Sequence, residues 1–378
     1  IPGREFGIAV LTQNDVTYNG RLEAVNGSIY MFGDAPLQVL PGTAFHGAYP
    51  APVPYMAANP GLPQIASTGV APNRDGTILA GEFGELFAPG IQSDIVLNSP
   101  EPITIDNITE AGRNVLAYTA SGITGKDASA VAAYHGHIVM YADAPADVDG
   151  LVNWTAGGIP VAPGDPVGAD GTGDFYMENN SSMIANLHAP SEGYVEIYGA
   201  NATLDNIQAN GENAVGNLQA DDSPAMGTSI LVQVNNWGTG NPTDIYGRDD
   251  LQSESPNADI VFEFASADGY GDVVQGSGAH WFSNGSIIFE PGAAVGASPV
   301  NSVLLQGDMT TNEAVSIITE AQGANGGTVP AIPAGSPADP APALINAGEI
   351  AMSGIGTITI GGDFTLVADQ GDSGIISQ

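Results

Sequence analysis

The sequence predicts an all-β chain wound into a β-solenoid, an irregular right-handed parallel β-helix with proline-rich loops. Three observations carry this expectation. In Leu344–Ala368, LINAGEIAMSGIGTITIGGDFTLVA, apolar residues alternate with small or polar ones at Ile350 and Met352, Ile358 and Ile360, and Phe364 and Leu366. That is the period of strands with one buried face. Glycines at 348, 354, 356 and 361–362 interrupt the pattern, so each apolar run is a short strand and each glycine group a corner, with no room for a helix between. Finally, a degenerate phrase recurs: NGSIYMFGDAP at Asn26–Pro36 and HGHIVMYADAP at His135–Pro145, with looser copies EGYVEIYGANA from Glu192 and NGSIIFEPGAA from Asn284. A β-sandwich or jelly roll of antiparallel hairpins is the alternative on the same residues.

Taken in order, residues 5–45 read as β. The segment 49–73 holds Pro50, Pro52, Pro54, Pro60, Pro63 and Pro72, and so many missing amide donors make it an extended flap. From Gly76 the β pattern resumes in TILAGEFGELFAPG and DIVLNSPEPITIDNITEAG. Lys126–Tyr134, KDASAVAAY, is the one stretch that reads as helix, of two or three turns at most. Residues 328–343, TVPAIPAGSPADPAPA, favour polyproline II and form a loop thrown out of the solenoid. Both its flanks keep the same β character, so residues 1–378 are expected to be a single domain.

The phrases NGSIIFEPGAAVGAS (Asn284–Ser298) and LINAGEIAMSGIGTITIGGDFTLVA resemble the repeats of filamentous haemagglutinins and autotransporter passenger domains. The resemblance implies right-handed parallel β-helical coils and an exported surface fibre or adhesin, with no catalytic residues to carry over. The proline-rich segments, irregular spacing and lack of a recognisable secretion domain depart from that pattern.

Charge sets the class of partner. Forty-two acidic residues face six basic ones, Arg4, Arg21, Arg74, Arg113, Lys126 and Arg248, for a net charge of −36. Such a chain is not built for nucleic acid or an anionic membrane, and its self-repulsion suits high salinity or a calcium-rich exterior. No apolar run is long enough to insert in a membrane. The absence of cysteine removes disulfides, thiol catalysis and cysteine-based zinc sites. The first residues are Ile-Pro-Gly rather than Met, so a cleaved leader or upstream segment is expected. Sequons begin at Asn26, Asn107, Asn153, Asn179, Asn180, Asn201 and Asn284, each a candidate glycosylation site in a chain rich in Asn, Ser and Thr.

Two acidic loops match, ADGTGD at Ala169–Asp174 and ADGYGD at Ala267–Asp272. The pairs Asp170/Asp174 and Asp268/Asp272, curled by glycines, are candidate ligands for calcium, with Asp165 and Glu178 completing the first site. A solvated Asp-Gly turn is the simpler account. His135 and His137 flank Gly136 and would share one face of a strand, within reach of one transition metal or simply at the surface. Arg248-Asp249-Asp250 places a cation beside two carboxylates, as a structural pair or, on a loop, as the acids of a glycosidase. Trp154, Trp237 and Trp281 could stack on sugars or fill the core. No nucleophile elbow, Walker loop, HExxH or dinucleotide fingerprint is present.

These features predict a secreted, non-enzymatic structural subunit of an extracellular filament, sheath or surface layer. Its partners are other copies joined head to tail, with surface glycans as a further candidate. The contact is expected at Phe6, Ile8, Val10 and Leu11, added as a strand to a neighbouring sheet. A carbohydrate-binding or carbohydrate-cleaving β-helix protein is the alternative.

Overall fold

The structure, a computed structural model, describes residues 7–11, 15–33, 39–40, 64–65, 77–81, 83–91, 93–99, 101–143, 173–187, 193–213, 227–234, 244–264, 271–291, 300–319, 349–353, 356–368 and 376–377. Among these residues there is no helix. Three long parallel sheets carry all the strands but two. Sheet A has 11 strands, from Ile8–Leu11 to Phe364–Val367; sheet B has 11, from Val16–Tyr18 to Ile376–Ser377; sheet C has 10, from Arg21–Glu23 to Ile358–Ile360. The chain visits A, B and C in fixed rotation, and each strand pairs in parallel with the same strand one coil away. This is a β-solenoid. The sandwich alternative fails because its defining antiparallel pairing is confined to Val39–Leu40 with Gln64–Ile65. At about 4.8 Å per coil, sheet A runs roughly 50 Å.

The repeated phrase now has a place. Its four copies supply the sheet A strands starting at Ile29, Ile138, Val195 and Ile287, whose first residues stand in one column, linked in register through Ile95, Val115, Ile230 and Ile260. Every member of that column is fully buried. Parallel pairing without slip puts like residues over like, so one apolar position per coil builds a continuous core. Each such side chain contributes about 1.5–3 kcal/mol by leaving water. Toward the far end the core turns aromatic: Phe262 lies 5.0 Å from both Trp281 and Phe289, centroid to centroid.

The three outward faces differ. Along sheet A as far as Val261 the outward residues are buried as well, including a stack of Tyr118, Tyr141 and Tyr198 at 5.6 and 5.5 Å, and beyond it they become half-exposed to exposed. Sheet B behaves likewise from Tyr246 through Val274 and Leu304 to Ala351. Sheet C keeps an alternation of buried and half-exposed residues, so its outer face meets solvent. The connections 33–77, 142–174, 235–244, 265–271, 292–301 and 319–349 run from a sheet A strand to the next sheet B strand, whereas 210–227 runs from sheet C to sheet A. Both proline-rich segments therefore belong to the corner between sheets A and B. The loop 328–343, and the flap 49–73 apart from Gln64–Ile65, lie outside the described residues.

The helix expected at Lys126–Tyr134 is instead a turn followed by the sheet C strand Ala130–Ala133. Val131 and Ala133 face the core with period two, in register with Thr109 and Ala111 on one side and Met183 and Ala185 on the other. Alanine's helical preference is a few tenths of a kcal/mol per residue against its neighbours, and two paired strands outweigh it.

Corners also depart from the simple glycine expectation. A Cβ on Gly112 would lie 1.8 Å from the carbonyl oxygen of Gly90, so what that corner requires is close approach between coils. Left-handed backbone is often taken by asparagine: Asn107, Asn180 and Asn257 have φ of 62, 61 and 58°.

Candidate functional site

Where the chain turns between sheets, a backbone N–H leaves the ladder and needs another acceptor. The residue just before each sheet A strand supplies one. Ser28, Asp94, Asn114, His137 and Tyr194 form a column over successive coils. Ser28 Oγ accepts from the Asp94 N–H at 2.9 Å, Asp94 Oδ1 from Asn114 at 3.1 Å, Asn114 Oδ1 from His137 at 2.9 Å, and His137 Nδ1 from Tyr194 at 3.4 Å. Farther along, Asp259 Oδ1 accepts from Ser286 at 2.6 Å and Ser286 Oγ from Ala314 at 3.3 Å. In each case a side chain caps the following coil, so the seam has a direction. Sequence reasoning missed it, although its signal is visible: a polar residue directly before an apolar strand start, as in S-I-Y, D-I-V, N-V-L and H-I-V.

Burial has electrostatic consequences here. Asp94 is fully buried; desolvation raises its pKa, while the paired guanidinium of Arg113 and the Asn114 N–H pull it back. His137 stacks on Tyr194 at 4.2 Å. Burial, with a smaller push from Arg113, drives its pKa down to about 4. The expected histidine pair is not formed as predicted: His135 and His137 lie on the corner before Ile138–Tyr141, not on a strand, and His135 is exposed.

The corner between sheets A and B carries a second seam. Asp15 Oδ1 accepts from the Thr77 N–H at 3.0 Å, Asn201 Oδ1 from Asp244 at 2.8 Å, and Asp244 Oδ1 from Asp272 at 3.1 Å. Asp174 accepts from the Asn201 side-chain amide at 2.8 Å, and Asp272 from Asn301 and Ser302 at 2.8 and 2.6 Å. Two of the candidate calcium ligands, Asp174 and Asp272, thus lie on one seam, tied to neighbouring coils. Glu178 stands at the other end of the strand Phe175–Met177, about 13 Å of extended chain from Asp174. It accepts from Lys126 Nζ at 2.8 Å and from the Asp127 N–H at 2.9 Å. Asp165, Asp170 and Asp268 lie outside the described residues, among which no group of three or more His, Asp or Glu is placed to hold a metal.

The described cations are used between or beside strands. Arg113 pairs with Asp94, Lys126 with Glu178, Arg248 with Asp205 at 3.5 Å, and Arg21 with Glu23 at 3.2 Å. Arg248 therefore does not serve Asp249 and Asp250: Asp249 accepts from the Asn206 amide at 3.4 Å and Asp250 from the His280 N–H at 2.8 Å. Trp281 is fully buried against Phe262, which removes it as a sugar platform; Trp154 and Trp237 lie outside the described residues.

Several sequons are by-products of the corners. The Asn201 amide is held between Asp174 and Asp244, and that of Asn284 donates to the Glu254 carbonyl at 2.9 Å. Asn180 is exposed and donates to Asp127 at 3.1 Å, Asn26 is exposed on a turn, Asn107 and Asn179 are half-buried, and Asn153 lies outside the described residues.

At the first coil, Ile8–Leu11 is already the terminal strand of its own sheet A, paired in register with Ile29–Phe32. The strand expected to insert in a neighbour is thus built into its own chain, and only its far edge can meet another copy. Ile8 and Val10 pack half-buried on the core; Phe6 lies outside the described residues. Among the described residues six large apolar side chains are exposed. Val25 (58%), Leu79 (37%), Phe83 (60%) and Ile91 (72%) belong to the first two coils and Phe364 (44%) to the last, leaving only Leu187 (41%) between.

Comparison of the chain with protein-family models, curated proteins and solved structures finds no match in any of the three.

Proposed function

We propose that this chain is a structural subunit of an extracellular filament, sheath or surface layer, joined to further copies at the ends of its solenoid. The observation that carries the reading is the uncovered last coil: Phe364, in register with the buried Val315 of the sheet A core column, is 44% exposed there. The last coil also leaves Ile358, Ile360 and Leu366 only partly covered. Strand edges there are a further invitation to pairing. The seam supports a head-to-tail polarity. Asp363 holds its column in the last sheet A coil and is exposed; its backbone carbonyl accepts from Val315, while its carboxylate accepts no hydrogen bond among the described residues. Gly7 opens the same column in the first. The Asp363 carboxylate would cap a next copy's Gly7 N–H as Asp94 caps that of Asn114. Such a contact is heterologous and propagates. The acidic, cysteine-free composition fits an exterior, saline setting. Size-exclusion chromatography and negative-stain microscopy test it. Fibres or oligomers that grow past the dimer with concentration are expected; a monomer or a closed dimer at every concentration and salt overturns it.

A second reading, glycan binding, is favoured by the outer face of sheet C. There Gln208, Gln252, Phe282, Thr310 and Thr359 stand in one half-exposed to exposed column of amides, a ring and hydroxyls. Depletion of the protein by insoluble neutral polysaccharides, lost on Gln252→Ala with Phe282→Ala, is its test.

A further inference from the structure

We infer that a second contact joins copies side by side, through an apolar band that crosses the outer face of sheet C on its first two coils. This rests on the reading of the chain as an assembling subunit and adds the lateral contact that turns single filaments into a sheath or layer. Leu79, Phe83, Phe87 and Ile91 recur every four residues along one coil, from the outside of sheet B, around the corner, across sheet C and onto the next corner. Val25, on the coil before, lies beside Gly90, the neighbour of Ile91: its carbonyl is 3.5 Å from where a Cβ on Gly90 would sit. Phe83 and Ile91 are the two most exposed large apolar side chains described, and both lie on this one coil. Elsewhere the sheet C face is dominated by small and polar residues, so the band is a local feature.

The occupant is a second copy of this chain, and the argument is charge. Between two copies of a chain carrying −36, a lateral face is favoured where a cation offsets the carboxylates. Arg21 is the most exposed of the described ion-paired cations, its side chain 50% exposed, and it lies in the band. Its guanidinium sits 4.3 Å over the ring of Phe87, with Glu23 at 3.2 Å and Glu85 in register beside it. A two-fold axis through the band sets each Arg21 against the Glu23–Glu85 edge of the other copy while the apolar side chains close together. The same patch serves both partners, as an isologous contact requires.

The test uses the full chain with its end contact weakened by Phe364→Ser and Asp363→Ala. Analytical ultracentrifugation of that variant should show a dimer in equilibrium with monomer. Adding Phe83→Ser and Ile91→Ser should weaken the dimer at least about a hundredfold, since two substitutions in each copy remove four apolar side chains from the two-fold contact. Leu187→Ser, an exposed apolar site elsewhere, should leave it unchanged. A dimer that survives the paired substitutions, or a chain that stays monomeric to about 100 µM, overturns the lateral contact. Unchanged circular dichroism of the exposed-site variants separates loss of contact from loss of fold. The wild-type chain separates the two proposals. Unbundled fibres sink the lateral contact alone, whereas a discrete dimer without fibres sinks the end contact alone.

Discussion

His137 makes the solenoid acid-sensitive in a way that can be worked out from one seam. Its Nδ1 accepts the Tyr194 N–H, its ring stacks on Tyr194, and Arg113 lies near enough to disfavour a second cation. The charged group that acts on it is Arg113 of the preceding coil, itself paired with Asp94. Protonation would add charge to a buried ring and remove its acceptor. The folded pKa is about 4 against an unfolded value of 6.5. Because the folded value is depressed for a base, the unfolded chain binds the proton first, and stability falls as pH drops below 6.5. Linkage gives a loss of about 2 kcal/mol by pH 5 and about 3 kcal/mol by pH 4, levelling off below. Asp94, Asp174 and Asp259 work the other way: burial raises each pKa, so their contribution to stability improves as pH falls through those values. The difference between wild type and His137→Asn isolates the histidine, since Asn114 performs the same capping one coil earlier. Urea unfolding at pH 7, 6, 5 and 4 should show the variant gaining on wild type by those amounts, and an NMR titration should place His137 near 4. A difference that stays constant from pH 7 to 4, or a His137 that titrates at 6 or above, refutes the reasoning.

Other substitutions probe the packing. Phe262→Ala, in the aromatic layer with Trp281 and Phe289, should cost about 3–5 kcal/mol by urea unfolding. Gly112→Ala should lower the thermal midpoint clearly, since its Cβ would meet the Gly90 carbonyl at 1.8 Å, whereas Gly278→Ala, with nothing within 4 Å, should leave it within a degree or two. Arg248→Met should destabilise by about 3–5 kcal/mol because the buried Asp205 carboxylate loses its cation, and adding Asp205→Leu should recover most of the loss. Raising sodium chloride from about 0.05 to 1 M should raise the midpoint by screening the net charge of −36; a fall would mean that the four described ion pairs outweigh the repulsion.

The architecture was legible because a solenoid writes its period into neighbouring residues. Ile350 and Met352, Ile358 and Ile360, and Phe364 and Leu366 alternate as strands do, and the structure has strands at Ile350–Met352, Ile358–Ile360 and Phe364–Val367. The phrase NGSIYMF was legible too, since each copy starts the same column. Lys126–Tyr134 misled because alanine has no strand preference of its own; what makes it a strand is Ile108–Ala111 and Ser182–Ala185 on either side, far away in sequence. The acidic pairs show only part of their setting in the sequence, for a related reason. Asp170–Asp174 and Asp268–Asp272 look local, but the partners of Asp174 and Asp272 are Asn201 and Asn301, each on the following coil.

The same reasoning accounts for much of the composition. Each coil turns repeatedly, and each turn strands a backbone N–H that a short acceptor on the previous coil can reach. Aspartate, asparagine and serine suit that place, because one or two side-chain bonds bring an oxygen about 3 Å from the next coil's nitrogen; lysine and arginine have no acceptor to offer. A solenoid capped in this way accumulates carboxylates and asparagines at its corners and has little structural use for cations. Three of the chain's six cations are spent on the buried Asp94, Glu178 and Asp205, whereas Asp244 and Asp272, also buried, are held by N–H, amide and hydroxyl donors of the next coil. Asn201 and Asn284 read as sequons because a corner asparagine is followed two residues later by Thr203 or Ser286, both buried in the strand stack. Acidity and sequons, which together suggest a glycosylated surface protein, are in part the chemistry of turning a parallel coil. The evidence for an exterior role therefore has to come from assembly, where the exposed band at Phe83 and Ile91 and the uncovered last coil at Phe364 are not explained by the fold alone.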